Sequence, residues 1–192
     1  DPRVFGLELD RFRKSIAQLE AEGNARCSPS RTQNRQTETE ATLTASMRGP
    51  GGGWHFKNTP DTDPALVANR EWAKEIMNRV PASTIGQDTV EKNVVDTVED
   101  LDERMVRALK AQKKWAEKTP KERADLLHKV GVQLALRRGD LLEVAASELG
   151  KGIGQADPEV SEAVDFAHYY AQQSLELDRV PGADFEPAAL TV

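Results

Sequence analysis

The sequence predicts a mainly α fold with one or two short strands. Three observations carry that expectation. From residue 100 to about 178, apolar residues recur at three- and four-residue steps, the period of amphipathic helices. Helix-boundary chemistry punctuates the same stretch: Thr119-Pro120-Lys121-Glu122 is a capping box with proline at the first helical position, and Gly150 stands where a left-handed stop belongs. Only Val94-Val95-Asp96-Thr97-Val98 is β-branched at nearly every position, so it reads as the one convincing strand.

The 192 residues fit one domain, or one domain with an appendage. A hydrophobic fraction of 38% and an aromatic fraction of 5% are low for a compact enzyme, but much of the deficit falls in the first third. The net charge of -6 argues against nonspecific binding to nucleic acid or anionic membranes. No apolar run approaches the ~20 residues that span a bilayer, so no transmembrane segment is expected. A single cysteine allows no internal disulfide and favours the reducing cytoplasm. Asp1-Pro-Arg-Val-Phe5 is neither a signal peptide nor a natural start, and Ala189-Leu-Thr-Val192 reads as a strand beginning with nothing after it. The expectation is a fragment.

In chain order, Val4 to Glu22 predicts a short amphipathic helix, with Gly23 as its stop. Asn24 to His55 lacks periodicity and is rich in turn residues, including Gly49-Pro-Gly-Gly-Gly53, which reads as a linker too poor in apolar groups to order itself. Residues 1–55 are therefore expected to be a partly disordered linker segment with one short helix, and residues 56–192 the amino-terminal part of an incomplete domain. Asp63-Pro64 is expected to cap a helix carrying Ala65, Ala68, Trp72, Ile76 and Val80, ended before Pro81, with Trp72 as its anchor. Ala82 to Glu91 reads as loop.

Three main helices follow the expected strand and should pack through their apolar faces. Asp100 to Lys118 carries Leu101, Met105, Ala108, Leu109, Gln112, Trp115 and Ala116 on one side. The helix opened by Thr119 presents Ala124, Leu127, Gly131, Leu134 and Ala135; Gly139-Asp140 breaks it, and Asp140-Leu-Leu-Glu143 recaps it as far as Gly150. Asp157 is then expected as N-cap, with Pro158 first in a helix whose apolar face is Val160, Ala163, Val164, Ala167, Tyr170 and Ala171. Glu159, Glu162, Asp165 and His168 form a polar stripe beside it. Such a stripe is either a solvated side or the source of a carboxylate for a site completed by other parts of a larger protein.

Asp125-x-x-His128 and Asp165-x-x-His168 have the acid-x-x-His spacing of di-iron helical bundles. Those centres also need carboxylates from two further helices, and Glu143 and Glu148 lie in the stretch continuing the first pair, so no metal site is expected and His128 reads as a helix-face residue that tunes nothing. Cys27 lies beside Arg26 without a base or scaffold and reads as an exposed thiol rather than a nucleophile. Lys151-Gly-Ile-Gly154 follows a helix C-terminus, whose carbonyl end repels anions. The residues by themselves name no catalytic, cofactor-binding or metal-binding group.

Trp115-Ala-Glu-Lys-Thr-Pro-Lys-Glu-Arg-Ala-Asp-Leu-Leu127, Glu148-Leu-Gly-Lys151 and Glu159 to Ala171 resemble the amino-terminal helices of the aldehyde dehydrogenase superfamily, whose fold is α/β. Phe56 to Trp72 is similar to the entry of the pyrroline-5-carboxylate (L-glutamate γ-semialdehyde) dehydrogenase module of bifunctional proline-catabolic enzymes, of the proline utilization A type. Phe12-Arg-Lys-Ser-Ile16 is similar to the region that joins that module to a preceding proline dehydrogenase domain. The resemblance implies aldehyde oxidation with NAD, with FAD only if such a preceding domain is present, and a homo-oligomeric parent. It places the nucleophilic cysteine, the glutamate base and the cofactor-binding strands beyond Val192, so this chain alone is expected to be inactive. One position carries over: the first acid of Glu-Ala-x-Asp-Phe, Glu162, which lines the aldehyde site in the semialdehyde branch. A carboxylate suits that substrate's α-ammonium. Tyr169 and Tyr170 are read as packing residues. The alternative is a non-catalytic helical interaction or oligomerisation module.

Overall fold

The computed structural model describes residues 2–21 and 32–177. The chain divides into two compact units, Asp1–Thr32 and Gln33–Val192. In the first, α1 (Pro2–Ala21) is the expected helix, but it buries none of its residues; Phe5, Leu7, Phe12 and Leu19 are all exposed. The expected thiol at Cys27 and the terminal loop and strand beginning lie outside the described residues.

The second unit comprises α2 (Glu40–Ser46), α3 (Val67–Arg79), a 3-10 turn (Val80–Ala82), α4 (Gln87–Glu91), α5 (Val98–Ala116), α6 (Pro120–Leu136), α7 (Arg138–Leu149) and α8 (Ile153–Leu177). Its centre is α8 laid along α6 and, less extensively, α7; α3 rests on α7 and α2 on α6. Two apolar clusters fill the seams. Leu43, Val132, Ala135 and Val164 join α2, α6 and α8, while Ile76, Leu142, Ala156 and Val160 join α3, α7 and α8, with Trp72 packed against the second group as anchor.

The mainly helical expectation holds. The strand over Val94–Val98 does not form: Thr97 accepts a hydrogen bond from the Asp100 amide at 3.1 Å, which makes it the N-cap of α5 and Val98 the first helical residue. The β-branched run is an extended lead-in to that cap. Among the described residues the one bridge between extended segments is an isolated pair, Arg48 with Trp54. Helix α5 itself buries no residue, so its apolar stripe is not packed as expected.

The expected linker is folded over its second half. Arg35 is buried, its Nε donating to Thr62 Oγ1 at 3.0 Å, NH1 to Glu38 at 2.8 Å and NH2 to the Pro60 carbonyl at 2.7 Å. Asn69 on α3 accepts from the Arg35 amide and donates to Gln33. Polar side chains rather than apolar periodicity order this stretch, so the sequence pattern does not show it. Gly51 and Gly52, at φ 91° and 79°, form a tight turn closed by Gly49 N–H to Gly53 O at 2.9 Å. Only glycine takes such backbone angles without strain. The glycine run thus aims Trp54 at the helices.

Several helix starts differ from expectation. Asp63 does not cap α3; its carboxylate accepts from the Ala65 amide, and α3 begins after Leu66. Residues expected as loop form α4. Helix α8 begins at Ile153, so Pro158 lies inside it and Asp157 is no N-cap. Asp157 is instead buried against Arg138, which donates to its carboxylate at 2.7 Å and to Ser161 Oγ at 3.0 Å. Thr62 adds N–H and O–H donors at 2.6 and 2.8 Å. Burial would raise the Asp157 carboxyl, but these donors outweigh it and hold the group below the usual carboxylate range. The capping box at Thr119 and the left-handed Gly150 stop are as expected, while α7 starts at Arg138, two residues before Asp140.

Candidate functional site

Helix α8 carries two different faces. Its inner face is Ala156, Asp157, Val160, Ser161, Val164, His168 and Ala171, all buried at helical spacing. Its outer face carries Glu162, Phe166, Tyr169 and Tyr170, at steps of four, three and one. Phe166, Tyr169 and Tyr170 are 52%, 42% and 58% exposed, an unusual load of aromatic surface for one helix face. They touch one another and Phe56: Tyr169 meets Phe56 and Tyr170 edge to face at 5.5 Å each, and Phe166 lies 6.0 Å from Tyr170. The tyrosines do pack, but on this exposed cluster and not in the core. Glu162 stands exposed one turn before Phe166, a carboxylate at the rim of an aromatic surface.

The stripe expected beside the apolar face comes apart. Glu159 takes a two-oxygen contact from Lys151 Nζ at 2.6 and 2.7 Å. Asp165 accepts from Asn58 Nδ2 at 2.8 Å and from the Thr59 amide at 2.7 Å, tying the segment before α3 to α8. His168 leaves the stripe altogether and is buried. Glu159 and Glu162 both face outward, and among the described residues Glu162 is the member of the stripe without a partner.

His168 meets His128 of α6, with their Nδ1 atoms 2.7 Å apart. His128 is 1% exposed, so the expectation of an idle helix-face residue is corrected. Trp54 stacks on His128 at 4.5 Å with 12° between the planes, and its indole N–H donates to Asp125 Oδ1 at 3.2 Å. The Arg48 guanidinium lies 4.3 Å above the indole. The helices approach so closely here that a Cβ on Gly131 would fall 2.5 Å from His168 Nε2. The two acid-x-x-His pairs therefore bring their histidines together while their aspartates bind elsewhere. Among the described residues no three histidine, cysteine or carboxylate side chains form a group that could hold a metal. The sequence signal for this contact was present in the two matching spacings, with Gly131 one turn after His128.

Burial, then His168 and Arg48, lower the His128 pKa to about 4 against the opposing pull of Asp125. Burial likewise lowers that of His168, opposed by Asp165. Burial thus favours the neutral form of both imidazoles.

The glycines of Lys151-Gly-Ile-Gly154 lie at the start of α8 as well as the end of α7. They do not fit a dinucleotide phosphate: Lys151 is held by Glu159, and the Gly152 amide donates to Gln155 Oε1 at 3.2 Å. No described helix is long and apolar enough to cross a membrane.

The aldehyde dehydrogenase family model matches residues 71–188. Among curated proteins, the 1-pyrroline-5-carboxylate dehydrogenase of Geobacillus sp. (strain WCH70) is 31% identical over 153 residues, covering 66% of this chain and 30% of that protein. That of Anoxybacillus flavithermus (strain DSM 21510 / WK1) is 30% identical with the same coverage. The 1-pyrroline-5-carboxylate dehydrogenase 2 of Bacillus subtilis (strain 168) is 29% identical over 116 residues, covering 60% of this chain and 22% of its own length. The chain thus spans about 30% of the length of the first of these relatives. No solved structure matches it. More than half of the chain falls within the family match, and the chain belongs to the aldehyde dehydrogenase family.

Proposed function

We propose that this chain is the amino-terminal part of an NAD-dependent L-glutamate γ-semialdehyde (pyrroline-5-carboxylate) dehydrogenase of proline degradation, working in the cytoplasm as a homo-oligomer. The observation that carries the reading is the likeness to three proteins bearing that name, together with an exposed carboxylate, Glu162, at the edge of the aromatic face of α8. Glu162 binds the α-ammonium of the semialdehyde, and Phe166 offers apolar surface beside it. The ammonium–carboxylate contact is charge-assisted and therefore among the stronger hydrogen bonds.

NAD, the hydride acceptor in this reading, belongs to the remainder of the domain, because the glycines and Lys151 here do not fit its phosphates. The chain of 192 residues is accordingly inactive by itself. Titration calorimetry of the isolated chain should show no heat of NAD binding, whereas the complete domain should bind NAD and oxidise the semialdehyde. Micromolar binding by the isolated chain would refute the division of labour. A complete domain that prefers aldehydes without an amino group would refute the substrate.

A further inference from the structure

We propose that the His128–His168 pair is an acid-sensitive latch that holds the Trp54 turn against α6 and α8. The contact at 2.7 Å between two Nδ1 atoms requires one imidazole to donate and the other to accept, so the two rings are opposite tautomers. Both Nε2 atoms are buried without a hydrogen-bond partner among the described residues, so neither ring can exchange its role with solvent in place. One added proton puts a charge beneath the Trp54 ring; a second leaves two N–H groups pointing at each other, and the contact must open.

The charged groups around the pair do not absorb that proton. On α6, Asp125 is occupied by the Trp54 indole at 3.2 Å and by Lys121 at 2.7 Å. On α8, Asp165 is occupied by Asn58 and Thr59. From the turn itself, Arg48 adds positive charge over the indole. The depressed pKa values of both histidines agree with this geometry. His168 has no room to retreat, because the Gly131 backbone sits against its ring. The movable layer is the cover, residues 47 to 55, attached to the helices mainly through Met47, Trp54 and the Asp125 hydrogen bond.

The sign follows from linkage. A histidine with a folded pKa below its free value near 6.5 loses its contribution as pH falls from that value toward the folded one. The opening constant of the cover therefore rises by up to about tenfold per pH unit for each histidine across that window.

The test is hydrogen exchange of the full chain at pH 7 and pH 4.5, corrected for intrinsic rates, with the histidine ring resonances followed in parallel. The amides of residues 47 to 55 should lose protection by tenfold or more, while those of residues 142 to 160 keep theirs. The His128 and His168 rings should stay neutral until the cover opens, and His168→Gln should flatten the acid dependence. Rings that titrate near pH 6.5 beneath a protected cover would overturn the latch. So would a cover that opens to the same extent while both rings remain neutral. If His168→Gln does not fold, the ring titration of the unsubstituted chain decides alone.

Discussion

Arg138 and Asp157 meet at 2.7 Å with side chains only 2% and 4% exposed, joining the first turn of α7 to the second turn of α8. Removing one partner of a buried pair strands the other charge away from water, which typically costs about 3–5 kcal/mol. Asp157→Asn should therefore lower the unfolding free energy extrapolated from urea denaturation by that much. The carboxylate's contribution is present above its ordinary pKa of about 3.9 and is lost as pH falls through its lower folded value. The acid limb of the stability curve should accordingly be shallower in Asp157→Asn. A loss under ~1 kcal/mol would mean that Thr62 and Ser161, not the charge pair, hold this joint.

Gly131 should not tolerate a side chain. A Cβ there would meet His168 Nε2 at 2.5 Å and two ring carbons at 2.9 Å, so Gly131→Ala must push α6 and α8 apart. Overpacking of this kind costs about 1–3 kcal/mol, more than the helix-propensity gain of alanine returns. Gly154→Ala is the control: it lies in the first turn of α8, has nothing within 4 Å of a new Cβ, and should be neutral or slightly stabilising. Thermal melts of the two variants should separate in opposite directions. Equal melts would place the close approach elsewhere.

Helix α5 predicts a contrast in sensitivity. Leu101 is 51% exposed and Leu142 is fully buried. Leu142→Ala should cost roughly 2–5 kcal/mol through lost burial and the cavity it leaves. Leu101→Ala should stay within about 0.5 kcal/mol, as a surface change does. Chemical denaturation of both variants in the isolated chain decides this, and a comparable loss at Leu101 would mean that α5 packs on the body in solution.

What the sequence showed depended on whether an element is stabilised locally or by distant groups. Thr119 and Glu122 satisfy each other's amides within four residues, and Gly150 stops α7 through its own φ of 68°, so both boundaries were legible. Val94–Val98 misled because a β-branched run ending in Thr97 serves as well for an extended approach to a cap as for a strand. Asp157-Pro158 misled for a different reason. Arg138 claims the carboxylate from another helix, and the missing Pro158 amide falls opposite Gly154, an exposed residue in the first turn of α8. Trp54 and Arg35 were hidden in a stretch without periodicity because their partners lie 71 and 25 to 27 residues away. The His128–His168 contact spans 40 residues and was legible only as two similar spacings. The identity of Glu162 as a candidate came from resemblance, and its exposure was consistent with either of its two readings.

The substitution that separates those readings is Glu162→Gln in a complete dehydrogenase domain. Glutamine keeps the size and nearly the helix propensity of glutamate, and an exposed position on α8 leaves the packing of Val160, Val164 and His168 undisturbed. Loss of a charge-assisted contact to the substrate ammonium should cost about 1.5–3 kcal/mol, roughly tenfold to a hundredfold in kcat/KM for L-glutamate γ-semialdehyde. The loss should fall mainly on KM, because the ammonium is held alike in the ground state and the transition state. NAD binding should not change, since Glu162 lies on a helix without cofactor contacts in this reading. An aldehyde without an amino group should lose little, having nothing to pair with the carboxylate. Equal losses for both aldehydes would make Glu162 a structural support for the site. No loss for either would return the outer face of α8 to plain solvated surface and leave its aromatic cluster to another partner.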